Sequence, residues 1–212
     1  MQQKDNNKSD MKLYLIIISF FIKLTSIGQP MLSDTFTKQG DLKYSNSDYY
    51  GAIDSYTKAL AINPKLASVL NNRGLSNYNL GEFKTAIQDF NKAIEIKPDF
   101  SEAYFNRGIA KDHLEDYRGA IQDFNKSIEI APTVSEIYNC RGKSYYYLEN
   151  YVSAIQDFDS TINLNPKSAD AYYYRGLSKN NLNDLNSACL DLSKAGELGY
   201  TFAYDAIKKI CY

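Results

Sequence analysis

The 212 residues carry 24 Lys plus Arg against 25 Asp plus Glu, a formal charge of −1. That balance, with no basic excess, argues against a nucleic-acid partner. An apolar share of 44 % excludes a disordered polymer, and 5 Pro with 11 Gly favour helices over a strand-and-turn architecture.

The first element is an address. Residues 12–28 read KLYLIIISFFIKLTSIG, with Lys12 ahead of an apolar run from Leu13 to Ile22 and small residues Ser26 and Gly28 at the end. This is the layout of an export signal peptide. The run is too short to span a bilayer, which needs about 20 apolar residues. Cleavage after Gly28 is expected, with Met11 as an alternative start because residues 1–10 are polar. The competing reading is an uncleaved signal that anchors the chain, and a membrane enters only through that route. Residues 29–32 read as a short linker. The cleaved chain is exported, periplasmic or secreted.

The remainder is organised by a period. Pro64, Pro98, Pro132 and Pro166 recur every 34 residues, a spacing that marks a solenoid. Five units follow: 33–66, 67–100, 101–134, 135–168 and 169–202. Gly occupies position 8 in all five (Gly40, Gly74, Gly108, Gly142, Gly176), and Ala occupies position 20 (Ala52, Ala86, Ala120, Ala154, Ala188). Position 24 is large and apolar: Tyr56, Phe90, Phe124, Phe158, Leu192. Each unit holds two segments with helical apolar spacing, joined by a polar turn near positions 15–18. Gly in a helix costs about 0.5–1 kcal/mol against Ala, so five in register require close packing. Pro at position 32 ends the second helix. Residues 201–212 form a last amphipathic helix that covers the exposed face of the fifth unit.

These landmarks resemble the tetratricopeptide family. Its pattern has a bulky residue at 4, Gly or Ala at 8, Ala at 20, an aromatic at 24, a small residue at 27 and Pro at 32. The ending "SIGQ" resembles export signals of the Bacteroidota. The resemblance implies an all-α solenoid of five helix-turn-helix units plus a capping helix. It further implies a non-enzymatic module that binds a protein or peptide on its concave face. The alternative is a structural subunit of an envelope assembly that uses the convex face or the ends.

Position 7 carries Arg73, Arg107, Arg141 and Arg175, and position 23 carries Asp89, Asp123, Asp157 and Asp191. The two positions are mirrored about the turn, so Arg107–Asp123 and Arg141–Asp157 are expected to pair within or between units. A ligand-binding Arg row is the competing reading. In the family the first helix of each unit lines the inner surface. Its inward positions here give Asn71, Tyr78, Phe105, Asn106, Asn139, Tyr146, Tyr147 and Tyr173 as candidate partner contacts, with acids Asp34, Glu102, Glu136 and Asp170 at the rim. Such a surface suits a protein or peptide partner with Lys or Arg. The basic clamp by which some members hold a terminal carboxylate is missing.

No catalytic, cofactor or metal motif is present. The three Cys lack zinc spacing, and His113, the only His, lies beside Asp112 without a nucleophile pattern. Cys189 and Cys211 each lie 11 residues from Tyr200, the expected turn. A hairpin there brings them together, as a disulfide in an oxidising compartment or as two buried thiols.

Overall fold

The computed structural model describes residues 30–212, so the leader and its cleavage point lie outside the described residues. Eleven helices follow one another, with no strand among the described residues. They are α1 (30–45), α2 (Tyr49–Ile62), α3 (Ala67–Asn79), α4 (Phe83–Ile96), α5 (Ser101–Asp112), α6 (Tyr117–Ile130), α7 (Ser135–Tyr147), α8 (Tyr151–Leu164), α9 (Ala169–Asn181), α10 (Leu185–Glu197) and α11 (Phe202–Ile210). Residues 30–32, read above as linker, belong to α1; Pro30 has the fixed φ that a helical first turn accepts without losing a needed donor.

Within each unit the chain reverses by the same device. The residue at position 15 is left-handed in every unit: Ser47, Gly81, Glu115, Glu149 and Asn183. The next amide then reaches back to position 11, as Asp116 N does to Lys111 O at 2.9 Å, which closes a Schellman motif. Position 16 caps the second helix: the side chains of Asp48, Asp116, Asn150 and Asp184 accept from the amide three residues on. Between units the residue before each proline is forced out of the helical region. Asn63, Lys97, Ala131 and Asn165 all have φ near −130°, from −130° to −135°.

Packing follows the repeat. From α2 onward each helix packs on its neighbours along the chain, α10 on α11 included, and α1 meets α2 where Gly40 faces Tyr56. The interior is a ladder of small against large. Ala52, Ala86, Ala120, Ala154 and Ala188 are fully buried beside Tyr56, Phe90, Phe124, Phe158 and Leu192. Each such aromatic contributes about 1.5–3 kcal/mol by its burial. Gly108 lets this happen: a Cβ there would lie 2.6 Å from Cε1 of Phe124. At the end, α11 lays Ala203 and Ala206 inward, and Cys211 bonds Cys189 on α10.

Candidate peptide-binding groove

The first helices of successive units touch one another: α3 meets α5, α5 meets α7, and α7 meets α9. In a curved stack the closer row lies on the inside, so these helices line the concave side. Their groove-facing side chains fall into two regions of different chemistry.

At the N-terminal end, Asp41, Tyr44, Tyr56, Asn72 and Leu75 line a recess of about 130 Å³. Tyr56 takes the place of the Phe of units two to four, and its hydroxyl donates to Asp41 Oδ1 at 2.8 Å. Asn72 Nδ2 donates to the same oxygen at 3.2 Å. Asn79 donates to the Tyr44 hydroxyl at 3.1 Å, which ties the first two units together. Further along, the Tyr78 hydroxyl lies 2.7 Å from His113 Nε2, and the His113 ring stacks on Phe83 at 4.9 Å.

At the C-terminal end the lining is aromatic. Tyr117 stacks on Tyr147, which meets Tyr146; Tyr146 meets Tyr151 and Tyr174. Tyr174 continues to Tyr173, Tyr200 and finally Phe202 on the cap helix. The rings stand mostly edge to face, the arrangement their quadrupoles favour. Tyr147 remains 47 % exposed and Phe202 66 % exposed. Burial, then hydrogen bonding to Tyr147, raises the Tyr174 hydroxyl above its ordinary value, so it stays neutral.

Beneath this shelf Lys143 pairs with Asp170 at 2.6 Å and lies 5.3 Å from the centre of the Tyr174 ring. Burial works against the lysine charge, but the hydrogen bond it donates to Asp170 and the nearby negative charges together outweigh it and raise Lys143. Cys140 is half-buried, and burial together with the nearby Glu136 charge pushes its thiol up to about 12. It is therefore a thiol and not a thiolate nucleophile at neutral pH. Among the described residues no group of His, Cys, Asp and Glu could hold a metal ion.

The arginine row lies away from the groove, between units. Arg107 binds Asp123 through Nε at 2.9 Å and Nη2 at 2.5 Å, and its Nη1 reaches Asn91 of the preceding unit at 2.7 Å. Arg73, Arg141 and Arg175 repeat this with Asp89, Asp157 and Asp191, and with Thr57, Asn125 and Asp159 at position 25. Every guanidinium thus has each of its three nitrogens bonded to protein, and its Nε–Nη2 fork is spent on a carboxylate. Burial works against the Arg141 charge, but hydrogen bonding to Asp157, the Asp157 charge and the neighbouring tyrosines together outweigh that and raise it.

The structure redistributes the candidate contacts. Tyr78, Tyr146, Tyr147 and Tyr173 stand on the groove. Asn71 and Asn139 do not: they are 5 % and 2 % exposed. Position 5 faces the neighbouring first helix, where Asn71 accepts from Asn106 at 2.9 Å and Asn139 donates to Asp170 at 2.8 Å. Asn106 is spent on that bond, and Phe105 leans into the core 6.0 Å from Phe124. Asp41, Asp112, Tyr117, Tyr174 and Tyr200 were missed as groove residues. Asp41 and Asp112 sit at positions 9 and 12 of the first helix, so a column-by-column reading of the repeat finds them.

Comparison with known proteins agrees with this architecture. The tetratricopeptide repeat matches at 67–100, 101–134 and 141–188, and a TPR repeat at 40–81. Curated proteins give no match. Among solved structures, MamA aligns with a TM-score of 0.72 at 25 % identity, covering 78 % of this chain and 96 % of its own. YrrB, described as a TPR protein with an unusual peptide-binding site, aligns at 0.72 and 20 % identity over 82 % of this chain and 90 % of its own. The first TPR of Spaghetti (RPAP3), solved bound to the HSP90 peptide SRMEEVD, aligns at 0.55 and 26 % identity over 56 % of this chain and 94 % of its own. With a 34-residue helix pair recurring five times and repeat matches spread along most of the array, the chain belongs to the tetratricopeptide-repeat family.

Proposed function

We propose that the protein is a non-catalytic interaction module that holds a protein or peptide segment along the groove of its first helices. One observation carries the reading: the run of tyrosine rings from Tyr117 to Tyr200, which closes on Phe202, is assembled from three units and the cap and keeps exposed edges. A fold that needed only internal packing would bury those rings. Tyr supplies large contact area and hydrogen bonding at a small entropic cost. Among relatives in fold, YrrB is described as having an unusual peptide-binding site and the RPAP3 repeat as bound to a peptide.

The same proposal includes export. An apolar leader precedes the array, and the Cys189–Cys211 disulfide suits an oxidising compartment. No helix among the described residues is long and apolar enough to cross a membrane. A structural subunit working through its convex face is the second reading. The apolar side chains there, such as Tyr50, Val152 and Leu190, stand in different units and form no continuous patch argument for it.

The test is a pull-down from the protein's own envelope fraction with the full chain and with Tyr146→Ala plus Tyr147→Ala. Groove binding requires that the partner recovered by the parent be lost with the double variant. Undiminished recovery, with the helical spectrum unchanged, moves the contact to another face.

A further inference from the structure

Two carboxylates on the groove, Asp41 and Asp112, have no ion-pair partner among the described residues. Asp112 is the last residue of α5, where the helix dipole is negative and an acid is disfavoured. The matching positions of the other units hold Tyr44, Tyr78, Tyr146 and Asn180, so the fold itself does not require an acid there. Its Oδ1 accepts from the hydroxyl of fully buried Ser144 at 2.6 Å. Lys143, whose ammonium acts on Asp112 electrostatically, is committed to Asp170.

Asp41 repeats the arrangement in the first unit. Position 9 elsewhere is Leu75, Ile109, Lys143 or Leu177, and position 24 is Tyr only where Asp41 stands opposite it. These two departures from the repeat meet in one hydrogen bond, Tyr56 to Asp41, inside the recess described above. Among the described residues neither Asp41 nor Asp112 has an ion-pair partner. Both carboxylates are therefore oriented by neutral donors on one oxygen, and the second oxygen of each has no hydrogen-bond partner among the described residues. Asp112 is half-buried and Asp41 exposed, and a carboxylate held by neutral donors is complementary to a cation. Asp112 also acts electrostatically on the Tyr78 and Tyr117 hydroxyls, and tyrosine rings favour ammonium and guanidinium groups. Burial raises the Asp112 carboxyl above its ordinary value, the Ser144 bond only partly offsetting it, which is the state a cation would relieve.

We propose that Asp41 and Asp112 are the two cation receptors of the groove, and that its occupant is a basic segment of a partner protein placing a Lys or Arg side chain at each. This rests on the groove reading and adds the chemistry of the partner.

The test uses a library of short random peptides selected on the full-length oxidised chain, followed by titration of the enriched peptides. The expected peptides carry Lys or Arg at two fixed places. Asp41→Asn and Asp112→Asn should each weaken them about tenfold or more, and Asp112→Lys should restore binding to a peptide whose matching Lys is changed to Glu. Peptides without a basic consensus that still depend on Tyr146 and Tyr147 would overturn the receptors and leave the groove intact. Failure to enrich any peptide sensitive to Tyr146→Ala plus Tyr147→Ala would remove the groove reading and the receptors with it. Thermal melts separate a structural role: Asp112→Asn should melt no lower than the parent, because it removes a charge from a helix C-terminus. A clear drop would make Asp112 a fold residue and end the proposal.

Discussion

Arg107 grips Asp123 with two parallel hydrogen bonds while its third nitrogen reaches Asn91 in the preceding unit. One side chain thus closes its own helix pair and ties it to the one before. The carboxylate is almost wholly buried, and Lys111 contacts its second oxygen at 2.7 Å. Removing one partner of such a pair leaves the other charge unmatched. Asp123→Ala should destabilise the array by about 2–4 kcal/mol, read as a lower urea midpoint. Asn91→Ala, at the exposed end, should cost well under half of that. An Asp123→Ala midpoint equal to the parent's would refute a structural role for the row.

Glycine at position 8 is required by its neighbour and not by its backbone. At Gly108 a Cβ would meet Phe124 Cε1 at 2.6 Å, whereas at Gly176 the nearest side-chain atom is Leu192 Cγ at 3.0 Å. Overpacking costs about 1–3 kcal/mol and the gain in helix propensity returns about 1. Gly108→Ala should therefore lower the melting temperature clearly. Gly176→Ala should lower it less, because Leu192 can shift more readily than a buried ring.

The cysteines make a labelling prediction. The Cys140 thiol stands near 12 and Cys189 is bonded to Cys211, so iodoacetamide at about pH 8 should leave the native chain unlabelled. Unfolding without reductant should add one label, on Cys140, and unfolding with reductant should add three. Because the bond closes a separation of 22 residues, its reduction should weaken α10 and α11 by up to about 3 kcal/mol in the chain-entropy account. Hydrogen exchange should then accelerate in α11 before α3 or α5.

Acid should act through Asp170. Burial pushes its carboxyl up, but the bonds from Lys143 and Asn139 outweigh it and hold it below the ordinary value of 3.8. A depressed carboxyl contributes its stability above the unfolded value and loses it as pH falls through the folded one. The stability difference between the parent and Asp170→Asn should be full at about pH 5 to 7 and shrink below about pH 4. A difference independent of pH down to about 2 would show that the Lys143 pair contributes nothing.

Much of this was written into the chain. Pro at 32, Gly at 8 and Ala at 20 are responses to steric demands, and steric demands at fixed spacing survive as fixed letters. The pairing of position 7 with position 23 was likewise legible, because both columns are invariant from the second unit to the fifth. The third partner of each arginine escaped notice, since position 25 varies as Thr57, Asn91, Asn125 and Asp159, any of which offers an oxygen.

By itself the sequence determined the period, the helix pairs, the stops between them and the small-against-large interior. Each of those follows from the shape of one residue and its near neighbours along the chain. Only the tertiary structure decided which polar groups stay open. Asn71 Oδ1 and Asn139 Nδ2 are taken by the next first helix, while Asp41 and Asp112, less conspicuous as letters, have one oxygen without a hydrogen-bond partner among the described residues. The reason is physical: whether an amide or a carboxylate is satisfied depends on a partner about one repeat away in sequence, and that distance is closed only by stacking the units.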